Sequence, residues 1–294
     1  MPFIQNFLDF KTILTLIKYK VSLAVTFTSA AGYLIYSGSF DLQLIYTAIG
    51  VFILAGGASA LNQVQERKYD ALMERTCHRP LPSGRITPIT ALIISLLFIL
   101  TGFSILYVLS GKVSAFLGLF NIFWYNIIYT YLKRITSFAV VPGSLVGAIP
   151  AIIGWSAAAG DIFDNRIVII AYFLFIWQIP HFWFLQLKYG KEYEAAGFPS
   201  ISKVFNHQSL KSITYIWIIA TSVTTLMFPL FNILTIPLLL IIILILNIWL
   251  VIIFTRITFN LKIGINFKTA FATFNVFMMV ILLIITIEAL ILSK

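Results

Sequence analysis

Acid is what this chain lacks most. Ten Asp and Glu stand in 294 residues against twenty Lys and Arg, and charge of both signs amounts to only 10%. A soluble domain carries roughly 25% charged residues, so a water-washed globule is excluded. With 60% apolar residues and a mean hydropathy of +0.99, the chain is expected to be an all-α integral membrane protein. Cysteine occurs once, at Cys77, so no disulfide can form within the chain. No small-residue cleavage site follows a short apolar core near the start, so no removable signal peptide is expected. Linkers, low-complexity stretches and a convincing internal repeat are missing too, which leaves a single domain over residues 1–294. The formal charge of +10 raises the question of nucleic acid. In a membrane protein such an excess belongs to loops that face anionic lipid, and no nucleic-acid partner is expected.

Long apolar runs are what the chain has in plenty. Nine segments come near the ~20 residues that a bilayer requires. They are residues 14–36, 42–61, 88–109, 113–132, 138–158, 167–187, 213–231, 234–253 and 269–292. All are predicted to be helices, because an open strand leaves its backbone unsatisfied in lipid. The second is predicted to run on past Leu61 as a polar extension.

Lys and Arg set the orientation. With the N-terminus on the cytoplasmic side, seventeen of the twenty fall inside and only Lys112, Arg166 and Lys294 outside. That asymmetry is a strong positive-inside signal. It puts the loops after the second and sixth helices on the same, cytoplasmic side, and both carry acids among bases.

The first of these loops follows NQVQERKYDALMERTCHRPLPSGR, residues 62–85, which holds three of the ten acids. Asn62, Glu66 and Asp70 recur every fourth residue and therefore share one helix face. Oxygen donors in a row suit Mg²⁺, which takes one or two carboxylates and completes its shell with water and phosphate oxygens. Incidental acids on a solvated helix end are the bland alternative, and the acid-poor background argues against it. Arg75 and Arg79 follow, with Pro80, Pro82 and Gly84 folding the loop back toward the membrane. Guanidinium groups so placed are predicted to grip a diphosphate. Arg85 is assigned to the loop's general charge.

The second constellation is HFWFLQLKYGKEYEAAG, residues 181–197. Glu192 lies eleven residues, about three turns, beyond His181 and is read as the opposite wall of the same site, with Lys188 and Lys191 beside it. His181 follows Pro180 inside a span, where an ionisable side chain is a functional candidate by default. A hydrogen-bonded packing role is its plain alternative. Trp124, Tyr125 and Tyr129 on one predicted helix and Phe182 and Trp183 on another are candidates to line a pocket for a greasy chain or to face a developing carbocation, with an interfacial belt or plain packing as the alternative for each. Gly143 and Gly147 are read as marks of close helix packing.

Taken together these residues resemble the UbiA superfamily of intramembrane prenyltransferases, and within it the heme O synthase (protoheme IX farnesyltransferase) family. The resemblance rests on N-x₃-[DE]-x₃-D-x₂-M-x-R-T-x₂-RPLP-x-G from Asn62 through Gly84. It extends to YTYLKRIT (129–136), PGSLVGAIPAIIGW (142–155) and WQIPHFW…EYEAAGFP (177–199). The WQIPH segment and EYEAAG favour the heme branch, although position 66 holds Glu where Asp is common, and FPSISKVF follows where a PMLPVV-like run is usual. The resemblance implies nine helices around a central cavity that opens near the cytoplasmic face of a bacterial membrane. It implies farnesyl diphosphate and heme B as substrates, with Mg²⁺ required. By carry-over, Asn62, Glu66, Asp70 and Glu192 hold the metal, Arg75, Arg79, Lys188 and Lys191 the diphosphate, and His181 faces the heme. Transfer to an aromatic quinone precursor stands as the alternative; His181 counts against it, since quinone-type relatives carry Asp there. A transporter for an anionic solute is the third reading and requires repeats that the sequence does not display. Oligomeric state is left open.

Overall fold

The computed structural model describes residues 9–259 and 267–293, and every regular element among them is helical. In chain order these are α1 (Phe10–Leu16), α2 (Tyr19–Ser37), α3 (Leu42–Asp70), α4 (Pro88–Ile105), α5 (Lys112–Ile122), α6 (Thr130–Leu132), α7 (Val140–Gly143), α8 (Leu145–Ala157), α9 (Asn165–Ala195), α10 (His207–Leu226), α11 (Pro237–Phe259) and α12 (Phe267–Leu292). Lys262 and Lys294, two of the charges used for orientation, lie outside the described residues. Starts are set locally. Asp41 accepts from Leu44 N at 2.9 Å to cap α3, and Thr87 accepts from Thr90 N with Pro88 in the first turn of α4.

Among the described residues seven helices are long and apolar enough to cross a membrane, or eight if α1 and α2 form one bent span. The expected span at 213–231 is α10, of similar length but rich in hydroxyls. Those hydroxyls bond inside the bundle: Ser222 and Thr225 donate to Asn247 Oδ1 of α11 at 2.6 and 3.0 Å. Leu92, Leu96 and Leu100 of α4 and Leu244 and Ile248 of α11 stay exposed, as side chains do when their solvent is lipid. Inside, the largest core cluster joins α8, α9, α11 and α12 through Trp155, Phe173, Phe254 and Phe274. The buried acid Glu288 of α12 accepts from Thr235 Oγ1 at 2.8 Å and from Ile236 N at 3.3 Å, closing the entry to α11.

The first expected span is not one straight helix. α1 and α2 meet at 57°, with Lys18 between them in the left-handed region at φ 47°. The carbonyls freed by the break find donors. Gln63 Nε2 of α3 donates to Thr15 O and Leu16 O at 2.9 and 2.8 Å, and Ser22 Oγ to Ile17 O at 2.9 Å. A break inside a span is tolerated where neighbouring side chains satisfy the backbone in this way.

Gly143 and Gly147 do allow close approach, but of side chains. A Cβ at Gly143 would meet the Tyr129 ring at 2.5 Å, and one at Gly147 would meet Gln178 Oε1 at 1.8 Å. Backbones touch instead at Gly154 of α8, where a Cβ would stand 1.7 Å from Ser29 O of α2. Gly154→Ala is therefore expected to push α2 from α8 and to destabilise the protein by about 1–3 kcal/mol. Gly56→Ala, whose nearest neighbour is the Ile17 side chain at 3.2 Å, is the control. Thermal unfolding of the two detergent-solubilised variants checks this; equal midpoints would refute the backbone contact.

Candidate functional site

α3 runs without interruption past Leu61, and its polar end is buried. Asn62, Glu66 and Asp70 are only 2%, 5% and 1% exposed. Each is met by a cation from a different part of the chain. Lys18 Nζ, aimed inward by the α1–α2 break, donates to Asn62 Oδ1 at 2.8 Å. Lys133, just after α6, makes an ion pair with Glu66. Arg79 Nη1 donates to both Asp70 oxygens at 2.8 and 2.7 Å. Thr76 Oγ1 ties the intervening loop to Asp70 O at 2.9 Å.

The segment before α6 is a π-helix, Phe123–Tyr129, a form that recurs at functional sites. Asn126 pins it to α3, donating to Ala58 O at 3.0 Å and to Gln65 Oε1 at 3.1 Å. Its wider turn brings Tyr125 and Tyr129 into one stack, 6.2 Å between centroids and 21° between planes. Thr130 Oγ1 accepts from Asn62 Nδ2 at 3.1 Å and donates to Tyr125 O at 2.9 Å, which joins the stack to the polar row.

The loop after α3 and the end of α9 meet. Arg75 N donates to Glu192 Oε2 at 3.1 Å, and Arg75 Nη2 to Tyr193 OH at 3.2 Å. The same guanidinium lies 5.0 Å from the centroid of the Tyr189 ring. Beneath it, Met73, Ala196 and Phe198 form a small buried cluster with Tyr69 and Tyr193. The two polar segments, residues 62–85 and 181–197, are thus in contact in the fold.

Together these groups enclose a cavity of about 380 Å³. Its polar end holds Asn62, Glu66 and Asp70 together with Lys18, Arg75, Arg79 and Lys133. That is two more cations than carboxylates, a surplus that suits an anion. The remainder is mostly apolar, walled by Val25, Leu54, Ile122, Ile153, Phe182 and Leu185, with Ser59, Asn121 and Gln178 set among them. His181 lines this deeper part.

Three expected members stand elsewhere. Lys188 and Lys191 are exposed and line no part of the cavity; Lys188 Nζ sits 4.7 Å from the Tyr189 ring centroid. At this end α9 presents Tyr193 to the cavity instead of Glu192. Glu192 makes its contact with the Arg75 backbone and is not among the lining residues. Lys18 and Lys133 supply the charge that the two α9 lysines were expected to bring. Both had a sequence signal: Lys18 is a charge inside an apolar run, and Lys133 lies four residues beyond Tyr129.

Among the described residues no three His, Cys, Asp or Glu side chains gather as a metal cluster. The donors on the row are two carboxylates and an amide oxygen. An all-oxygen, partly filled set fits Mg²⁺, whose shell a ligand's phosphate oxygens and water would complete.

A sequence profile described as the UbiA prenyltransferase family matches residues 24–262. A protoheme IX farnesyltransferase of Geobacter sulfurreducens is 37% identical over 219 residues, 74% of this chain and 81% of that protein. Among solved structures, a digeranylgeranylglyceryl phosphate synthase superposes with a TM-score of 0.76 at 16% identity, over 95% of this chain and 98% of that one. A UbiA homolog from Archaeoglobus fulgidus bound to GPP and Mg²⁺ gives 0.71 at 12% identity, over 95% and 99%. At these identities the structural likeness is one of fold.

The cavity's charge makes a direct test available. Inorganic diphosphate with Mg²⁺ is expected to raise the unfolding temperature of the solubilised protein. Arg79→Met and Lys133→Met are each expected to shrink that shift. Arg85→Met is expected to leave it intact, because Arg85 is held outside the cavity by His78 O at 2.6 Å and Ser83 Oγ at 3.0 Å. An equal shift in all three variants would remove the anion site.

Proposed function

The chain belongs to the UbiA prenyltransferase family, and on that premise we propose that it transfers the farnesyl group of farnesyl diphosphate to a vinyl group of heme B, giving heme O. The observation that carries this reading is the buried row Asn62–Glu66–Asp70, ringed by cations, at the mouth of an apolar cavity. In the transfer the C1–O bond of farnesyl diphosphate breaks and a C–C bond forms to the vinyl carbon. Water supplies the hydroxyl of the resulting hydroxyethylfarnesyl group, and diphosphate and a proton leave.

Asn62, Glu66 and Asp70 would hold Mg²⁺. Bound there, the metal neutralises charge on the departing diphosphate and so lowers the barrier to C–O cleavage. Lys18, Lys133 and Arg79 now pair with the row, and Arg75 stands beside it. On binding, these cations turn to the diphosphate oxygens while the carboxylates turn to the metal, so that no buried charge is left alone. Tyr125, Tyr129 and Phe182 present ring faces near the polar end, where an allylic cation develops. The apolar wall accepts the prenyl chain and keeps bulk water from the cation.

This is a multi-pass protein of the membrane. The lysine and arginine asymmetry supports a site at the cytoplasmic face of a bacterial inner membrane, within reach of a soluble diphosphate head and a lipid-borne tail. The relatives named as protoheme IX farnesyltransferases favour heme over a quinone precursor as acceptor. The transporter reading calls for broken helices in both halves, and among the described residues one bent pair is found.

Purified protein incubated with heme B, farnesyl diphosphate and Mg²⁺ is expected to yield heme O, identified by chromatography. EDTA is expected to abolish the product. Asp70→Asn, which keeps the shape and removes the charge, is expected to lower the rate by roughly 10²-fold or more. Robust prenylation of a hydroxybenzoate or naphthoate with heme left unmodified would replace this reading with the quinone-type one.

A further inference from the structure

His181 is held in one orientation by a residue from the last helix. Its Nδ1 lies 2.7 Å from Asn275 Oδ1 of α12, and Asn275 Nδ2 in turn donates to Phe271 O at 2.6 Å. That second bond orients the amide, since turning it over would press two carbonyl oxygens together. Asn275 Oδ1 is an acceptor only, so His181 Nδ1 carries the hydrogen. In the neutral ring the electron pair then sits on Nε2. Among the described residues no hydrogen bond engages Nε2, and His181 lines the cavity.

The surroundings decide what that electron pair is for. Trp177 and Phe271 stand 4.9 Å from the imidazole by ring centroids, and Phe182 5.5 Å. The one polar partner is a neutral amide. A proton acceptor in this position would end as an imidazolium with only an amide oxygen to receive its hydrogen. An electron-pair donor stays neutral. Imidazoles that ligate a metal ordinarily donate their other N–H to a carbonyl or carboxylate, and Asn275 fills that place.

We infer that Asn275 is a positioning residue, holding His181 as the Nδ1–H tautomer so that Nε2 ligates the iron of a heme acceptor. The inference rests on the heme reading of the cavity. Depth agrees with it. His181 lies eleven residues, about 16 Å of helix, inboard of Glu192 at the mouth. Vinyl groups are on the edge of the porphyrin and iron at its centre, so a ligand for iron belongs farther from the diphosphate than the reacting carbon does.

Heme B alone, added to the solubilised protein, is the probe, and its optical and electron paramagnetic resonance spectra are the readout. Wild type is expected to show imidazole-ligated heme. His181→Gly is expected to lose that signature and to regain it with added imidazole. Asn275→Asp keeps an acceptor for the Nδ1–H and is expected to keep the ligation. Asn275→Leu frees the tautomer and is expected to weaken heme binding roughly 10–100-fold. A wild-type spectrum in His181→Gly without imidazole, or unchanged affinity and ligation in Asn275→Leu, would overturn the inference. Heme O formation by wild type, measured alongside, separates the two ideas. Heme O made by a protein whose bound heme lacks an imidazole ligand sinks the ligand alone; transfer to another acceptor with no heme binding sinks the heme reading and the ligand with it.

Discussion

Carboxylates inside an apolar bundle are tolerable only when counter-charges or hydrogen-bond donors meet them, and the polar row of α3 is met by cations. Asp70 and Glu66 are nearly sealed from solvent, and their partners arrive from separate places: Arg79 from a loop, Lys133 from the end of α6. Asn62, one turn deeper, takes Lys18 from the α1–α2 break. The Lys18 and Lys133 contacts can form only when distant helices are in register, whereas Arg79 reaches Asp70 from the loop that directly follows α3. The polar row thus links the bundle's assembly to the chemistry it will host, and its charges come together as a set.

Local geometry bends to serve that set. Lys18 adopts a left-handed conformation that a non-glycine residue takes at a cost of about 1–2 kcal/mol, and Gln63 and Ser22 supply the hydrogen bonds that the break removes. The π-helical turn at Phe123–Tyr129 is a second irregularity, and it sets two tyrosines over the polar row. Both irregularities face the cavity, while α4 and α11 turn leucines and isoleucines outward.

Much of this was legible in the order of residues. The spacing of Asn62, Glu66 and Asp70 placed them on one face, and the apolar runs placed the helices with ends up to eight residues off, although among the described residues seven or eight spans are found where nine were expected. Partners were harder to read, because a side chain's destination depends on packing between elements far apart in the chain. Lys18 and Asn62 are separated by 44 positions, and His181 and Asn275 by 94. Lys188 and Lys191 looked suited to the diphosphate by proximity in sequence to Glu192, yet the helix carries them to the exposed side. Nor does composition reveal a left-handed lysine, since that conformation is imposed by tertiary contacts.

Fastening and gripping are separate at the place where the two loops join. The clasp runs from Glu192 to the main-chain nitrogen of Arg75, whereas the guanidinium of Arg75 rests on tyrosines nearby. A main-chain donor is present whichever residue other than proline occupies position 75. The doorway of the chamber can therefore stay latched whichever way the side chain at position 75 points, and evolution can retune that arm without loosening the hinge.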